Sequence, residues 1–194
     1  MEIAIIGTGF IGTTLGRALA RAGHRITFGS RHPGNGDGGV DVPEATVVSI
    51  GDALAGSGVV ILAIPAAAVA DLAVAHGSTL AGRLIIDATN RMGAATSASR
   101  SLLPSTVRYA RAFNTIGGEN MADPVFTDGP ADMFFSAPAA DRSTVETVIE
   151  GVGLRPVYVG EDQEAIIDAL FQLWIALAVT QGRGRRLALR LLDH

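Results

Sequence analysis

The 194-residue chain contains no cysteine and no lysine, and all fifteen of its basic residues are arginine. Without cysteine there is no disulfide, thiolate nucleophile or sulfur-ligated metal. Without lysine there is no amine or tyrosine–lysine pair to move a proton. Aromatic residues are sparse, at 5%. Net charge is only −4, with a pI near 5.5, which argues against nucleic acid or an anionic membrane as main partner. A long apolar run is also missing. The longest stretch, around 165–179, is interrupted by Asp168 and Gln172 and is too short and polar to span a membrane. No signal peptide precedes the first strand, so a cytoplasmic protein is expected. What is abundant is hydrophobic residues, at 48%, enough for one domain with a sizeable core.

"EIAII" (2–6) is a short apolar run of the kind buried on both faces of a parallel sheet. Ile11, Leu15, Ala18, Leu19 and Ala22 then recur at helical spacing, and Gly23 ends that helix. "RITFG", "TVVS", "GVVILAIP" (58–65) and "RLIIDATN" (83–90) read as further strands, with an Ala-rich helix at about 66–76. "HPGNGDGG" (32–39) reads as a loop. Later strands are expected at 107–113, 133–138 and 154–159. A helix between the last two starts with Ser143 and Glu146 at capping-box spacing. Residues 163–192 are expected to form a long helical region, bent or broken near "QGRG". This alternation predicts a doubly wound, mostly parallel α/β sheet of Rossmann type, with a C-terminal helical appendage and no second domain.

Gly7, Gly9 and Gly12 follow a strand and open a helix. Gly7 permits the tight turn, Gly9 lets backbone approach a pyrophosphate, and Gly12 lets helix and strand pack closely. The helix N-terminus offers N–H groups and a positive dipole end to phosphates. An NAD site places an acid roughly 20 residues on, against the ribose 2′-hydroxyl. This chain has Ser30, Arg31 and His32 there. A hydroxyl and a guanidinium suit a 2′-phosphate, so NADP(H) is expected.

Dehydrogenases of alcohols and carbonyls also move a proton at the mouth of the sheet. His24 lies in a helix–strand turn, His76 near a helix end, and His194 at the terminus. Only His32 falls on the ligand side, beside the adenosine. Tyr109 and Tyr158 fall inside strands. Asp87 and Asn90, and Asn114 and Thr115, follow strands on the ligand side; Asp87 reads equally as a cap. No catalytic acid or base and no metal ligand is assigned. Such a site suits hydride exchange between two redox rings that carry their own proton chemistry.

"GTGFIG", "GSR", "LAIP", "DATN", "AFNTIGGENMADP", "GLRPVYVG" and "LFQLWIALAVTQGRGR" together resemble the deazaflavin-dependent NADP reductase family, over nearly the whole chain. The pattern also resembles the NADPH-binding domain of the six-transmembrane metalloreductases. The resemblance implies hydride transfer between NADP(H) and coenzyme F420. It implies that Thr8, Gly9, Phe10 and Ile11 contact the pyrophosphate and that Ser30 and Arg31 take the 2′-phosphate. Ile64 and Pro65 would border the nicotinamide, with Ala88 and Asn90 nearby. Asn114, Thr115 and Ile116 would line the pocket for the second ring. Two positions depart from the family pattern: a basic residue after "GSR" is replaced by Asn35 and Gly36, and a histidine before "TI" is Asn114. An NADPH-dependent reductase of flavin, imine or another small organic substrate, and a non-catalytic NADP(H)-sensing module, are the alternatives.

The segment 165–179 is apolar nearly all round, so it must be covered on two sides. A homodimer through this helix is expected, with Trp174 in core or interface. Arg183, Arg185, Arg186 and Arg190 read as a solvated face or an attraction for an acidic coenzyme tail.

Overall fold

A computed structural model describes residues 1–34, 40–93, 99–127 and 129–192. Six parallel strands form the main sheet: β1 (Glu2–Ile6), β2 (Arg25–Ser30), β3 (Thr46–Ser49), β4 (Val59–Leu62), β5 (Leu84–Asp87) and β6 (Arg108–Arg111). Their spatial order is β3-β2-β1-β4-β5-β6. The order reverses at β1, which places a crevice above the C-terminal ends of β1 and β4. Beyond β6, Arg111 and Ser136 form one antiparallel bridge to a separate parallel pair, β7 (Asp132–Phe135) and β8 (Arg155–Tyr158).

Period-two alternation along buried strands produces two cores. Ile3 and Ile5 of β1 face one side with Leu15, Leu19, Phe28, Val145, Val148 and Ile149. Ala4 and Ile6 face the other with Leu54, Val60, Leu62, Val69 and Leu72. Helices α1 (Phe10–Arg21) and α5 (Arg142–Gly151) cover the first face, and α2 (Ile50–Ala55) and α3 (Val69–Leu80) the second. Short α4 (Gly118–Ala122) packs on α1, and α6 (Glu164–Ile175) runs into a π-helical turn, Ala176–Thr180.

Two local expectations change. Ser143 does not cap α5: the helix begins at Arg142, which pairs with Glu146 at 2.7 Å and occupies the side chain a capping box would need. A real serine cap lies elsewhere, on α2, where Ser49 Oγ accepts from Asp52 N at 3.2 Å and donates to Asp52 Oδ2 at 2.6 Å. The C-terminal helix does not reach residue 192. It stops at Thr180, at the break expected near "QGRG", because Gly182 (φ +68°) and Gly184 (φ +85°) adopt left-handed backbone, and no helix resumes among the described residues beyond it.

From there the chain returns as an irregular strap. Asn120 Nδ2 donates to the carbonyls of Arg185 and Leu187 at 2.9 and 3.1 Å, and Trp174 Nε1 donates to Leu187 O at 2.8 Å. Asp132 N donates to Leu189 O at 3.1 Å. Arg185 pairs with Glu119 at 2.7 Å and Arg186 with Asp123 at 3.0 Å, so these two arginines hold the strap to α4 and its end while staying exposed, as expected of a solvated face. Among the described residues, no helix is long and apolar enough to cross a membrane.

Candidate functional site

The β1–α1 turn shows why three glycines stand there. Gly7 has φ +118°, and a Cβ on it would lie 2.4 Å from Ala63 O. A Cβ on Gly12 would lie 2.1 Å from Gly7 O. Gly9 differs: a Cβ there would meet nothing within 4 Å. It caps α1 without any side-chain hydrogen bond, and the first turn of the helix holds no acid. The space above Gly9 and the uncapped helix end therefore fit a phosphate group.

A chamber of about 620 Å³ opens on one side of this turn. It is lined by Gly7, Thr8 and Gly9, by Ser30, Arg31 and His32 at the end of β2, and by Ile64 and Pro65 after β4. Parallel register sets Ser30 beside Ser49. His76, expected off the ligand side, lines this chamber too. α3 kinks at this residue (φ −131°, ψ 17°), and its ring lies over Gly51. Asn35 and Gly36 lie outside the described residues, as does His194.

A second chamber, about 380 Å³, shares Gly9, Ala63, Ile64 and Pro65 with the first, so the two form one cleft. Phe10, Ile11, Ala88, Thr89, Asn90 and Ile116 line it. Asn114 and Thr115 do not. Both are buried, behind the wall. Asn114 Nδ2 donates to Thr89 O at 3.0 Å, and Thr115 Oγ1 rests on Met133 Sδ at 3.9 Å. Further lining comes from Phe113, Met92, Met121, Phe171, Trp174 and Ile175, and from Arg185, one of the arginines read as a solvated face or an attraction for a coenzyme tail. Phe113 is held at φ +68°, an uncommon backbone for an aromatic residue. Trp174 is nearly buried yet reaches the chamber, with the Arg185 guanidinium 5.5 Å from its ring. A lone aspartate in an apolar helix, Asp168, was the available signal that α6 faces something polar inside.

No carboxylate, imidazole or phenol occurs among the described residues lining this second chamber. Asp87 is fully buried and spent on structure. Its Oδ1 accepts from Thr89 N at 2.9 Å, and its Oδ2 from Ser99 N at 3.0 Å and Tyr109 Oη at 2.6 Å. Burial, reinforced by the Asp87 carboxylate, pushes the Tyr109 phenol far above its ordinary range, so it serves as a donor and not as an acid. Tyr158 donates to Ala137 O at 3.0 Å. His24 sits at the opposite end of the sheet, 3.2 Å from the N-terminal ammonium. No group of three or more potential metal ligands occurs among the described residues.

Residues 2–91 match the family model described as NADP oxidoreductase, coenzyme F420-dependent. The match spans "GTGFIG", "GSR", "LAIP" and "DATN" and bears out the resemblance carried by those runs. No curated protein matches the chain. Among solved structures, the chain is similar to a proposed F420-dependent NADP-reductase from Arthrobacter sp. FB24. That protein is 23% identical, with a TM-score of 0.84 and full coverage of both chains. The hypothetical protein SMa0349 of Sinorhizobium meliloti is 26% identical over all of this chain and 96% of its own, with a TM-score of 0.73. An imine reductase from Streptomyces aurantiacus shares 19% identity and a TM-score of 0.74 over 94% of this chain, which spans only 64% of that protein. The family model supports an NADP-dependent oxidoreductase, and the solved structures show the same fold.

Proposed function

We infer that this NADP-dependent oxidoreductase exchanges hydride between NADP(H) in the first chamber and a deazaflavin ring, coenzyme F420, seated in the second. The observation that carries the reading is the second chamber: continuous with the first, rich in aromatic and aliphatic side chains, and lacking a proton-transfer group among its described lining residues. Reduction of a ketone would leave an alkoxide that the protein must protonate. A redox ring that exchanges its own proton with water needs only to be stacked and oriented.

Bound NADPH supplies the hydride from nicotinamide C4. With a deazaflavin bound, that hydride and one proton from solvent would go to the oxidised ring, leaving NADP⁺ and the reduced ring. The glycine turn (Gly7, Gly9, Gly12) with Thr8, Phe10 and Ile11 would hold the pyrophosphate, and Ser30 with Arg31 the 2′-phosphate. Ile64 and Pro65, at the neck shared by both chambers, would back the nicotinamide, with Ala88 and Asn90 beside it. Of the three residues assigned to the second ring, Ile116 would touch it directly. Asn114 and Thr115 would act from behind.

Residues 1–194 would work as one unit, in the cytoplasm, as a homodimer. Ile166, Leu173 and Val179 stay exposed on the C-terminal helix and its π turn, an apolar surface that a second copy would cover. Light scattering after gel filtration tests the dimer.

The chemistry is tested by mixing protein, NADPH and oxidised deazaflavin and following both absorbances. Coupled loss at equal rates is expected. No coupled loss, or turnover with free flavin or an imine alone, would overturn the assignment.

A further inference from the structure

One guanidinium, behind the lining of the second chamber, ties two of its walls together. Arg111, at the end of β6, is wholly buried. Its Nε and Nη2 donate to Asp168 Oδ1 of α6 at 3.1 and 2.7 Å. Its Nη1 donates to Thr89 O at 2.7 Å and Asp87 O at 3.4 Å, and lies 3.3 Å from Asp87 Oδ2. Nη2 also reaches Asn90 Oδ1 at 3.4 Å. Taking an arginine out of water is costly, and a buried ion pair adds little net stability over apolar packing. What such a pair does supply is a fixed geometry for everything bonded to it.

Two walls of the chamber meet on this group. Ala88, Thr89 and Asn90 form one, and Phe171, Trp174 and Ile175 belong to the other. Asp168 precedes Phe171 by three residues and Ile175 by seven, so all three share a face of α6. A shift of Asp168 therefore moves the aromatic wall as a body. On the other side, Asn90 cannot turn without breaking its bonds to Arg111 and, through Nδ2, to Asn114 O at 3.1 Å.

We propose that Arg111, acting with Asp168, is a positioning residue that sets the gap between these walls and thereby the alignment of the second substrate over the nicotinamide. The proposal rests on the reading that the second chamber receives that substrate. Arg111 does not line either chamber. It acts through Thr89, Asn90 and α6.

The test uses the full chain with Asp168→Asn, which keeps the shape and removes the charge, and Arg111→Lys, which keeps the charge and removes the fork. NADPH affinity is measured by calorimetry. Single-turnover hydride transfer is measured with NADPH and its C4-deuterated form. Emission of Trp174, the chain's one tryptophan, reads the chamber wall without any acceptor. In both variants NADPH affinity should stay within about twofold, while hydride transfer falls about a hundredfold, the scale of a misplacement near 1 Å. The isotope effect should persist, and Trp174 emission should shift to the red and become more quenchable. Should Arg111→Lys not fold, Asp168→Asn decides. A folded Asp168→Asn protein with unchanged Trp174 emission overturns the proposal, as does one whose NADPH affinity falls in step with its rate. A wild-type protein inactive with deazaflavin overturns the assignment of the acceptor and leaves the Trp174 measurement to judge the positioning role.

Discussion

The first chamber is enclosed by four local stretches, residues 6–9, 29–32, 50 and 63–76, each a strand end with the turn or helix that follows it. The second draws on residues from Gly9 to Arg185 and includes a left-handed phenylalanine, a five-residue helix, α6 and the returning strap. Backbone geometry shapes the first, and tertiary packing of side chains shapes the second. The difference teaches where each kind of specificity resides. Recognition of a phosphorylated dinucleotide depends on what a few adjacent residues can do alone. On the proposed reading, choice of the acceptor depends on elements brought together only by the completed fold.

The contrast is broken most severely at Gly12. Gly12→Ala drives a methyl into Gly7 O, so the turn must shift. Stability should fall by about 3 kcal/mol, with NADPH binding lost, as read by thermal unfolding and calorimetry. Next comes Arg31→Glu, which replaces attraction for the 2′-phosphate by repulsion. NADPH should bind about a hundredfold more weakly, while NADH changes by less than about threefold. Equal effects on both nucleotides would dissolve the phosphate assignment. The second chamber should respond in the opposite pattern. Trp174→Phe removes one wall surface and leaves Leu187 O without its indole donor. The acceptor KM should rise about tenfold, on the scale of about 1–3 kcal/mol for a stacked ring, with NADPH affinity unchanged.

The smallest effect concerns the strap. The hydrogen bond from Arg185, foremost, holds the Glu119 carboxyl below its usual range. A lowered folded-state value means the stabilisation is full above the ordinary carboxylate range and is lost as pH falls through the folded value. Both side chains are substantially exposed, so global stability should barely respond. Trp174 emission should change in that acidic window, and Glu119→Gln should abolish the transition.

How much of this could be read from the chain follows the same division. The glycine turn, the Ser30–Arg31 corner and the alternation of β1 to β6 are local or periodic signals, and the fold carries them through. α2 went unread because its cap, Ser49 with Asp52, directly follows a strand and the helix has only six residues. The C-terminal helix was drawn too long because apolar content continues past the glycines that end it. Asn114 and Thr115 were placed in the chamber by position after β6. The left-handed turn at Phe113 instead accompanies a wall that admits Phe113 and Ile116 and leaves the two polar residues behind. No local pattern encodes that reversal. Nor does any reveal that Arg185 would return to Glu119, a contact 66 residues apart.

The strap also has a consequence in time. Synthesis runs from the N-terminus, so β1 to β4 with α1 to α3 emerge early, and the nucleotide corner they form needs nothing beyond residue 76 to line it. Phe171, Trp174 and Arg185 emerge last. A nascent chain stalled between these points would already carry every residue that lines the first chamber and would still lack a wall of the second.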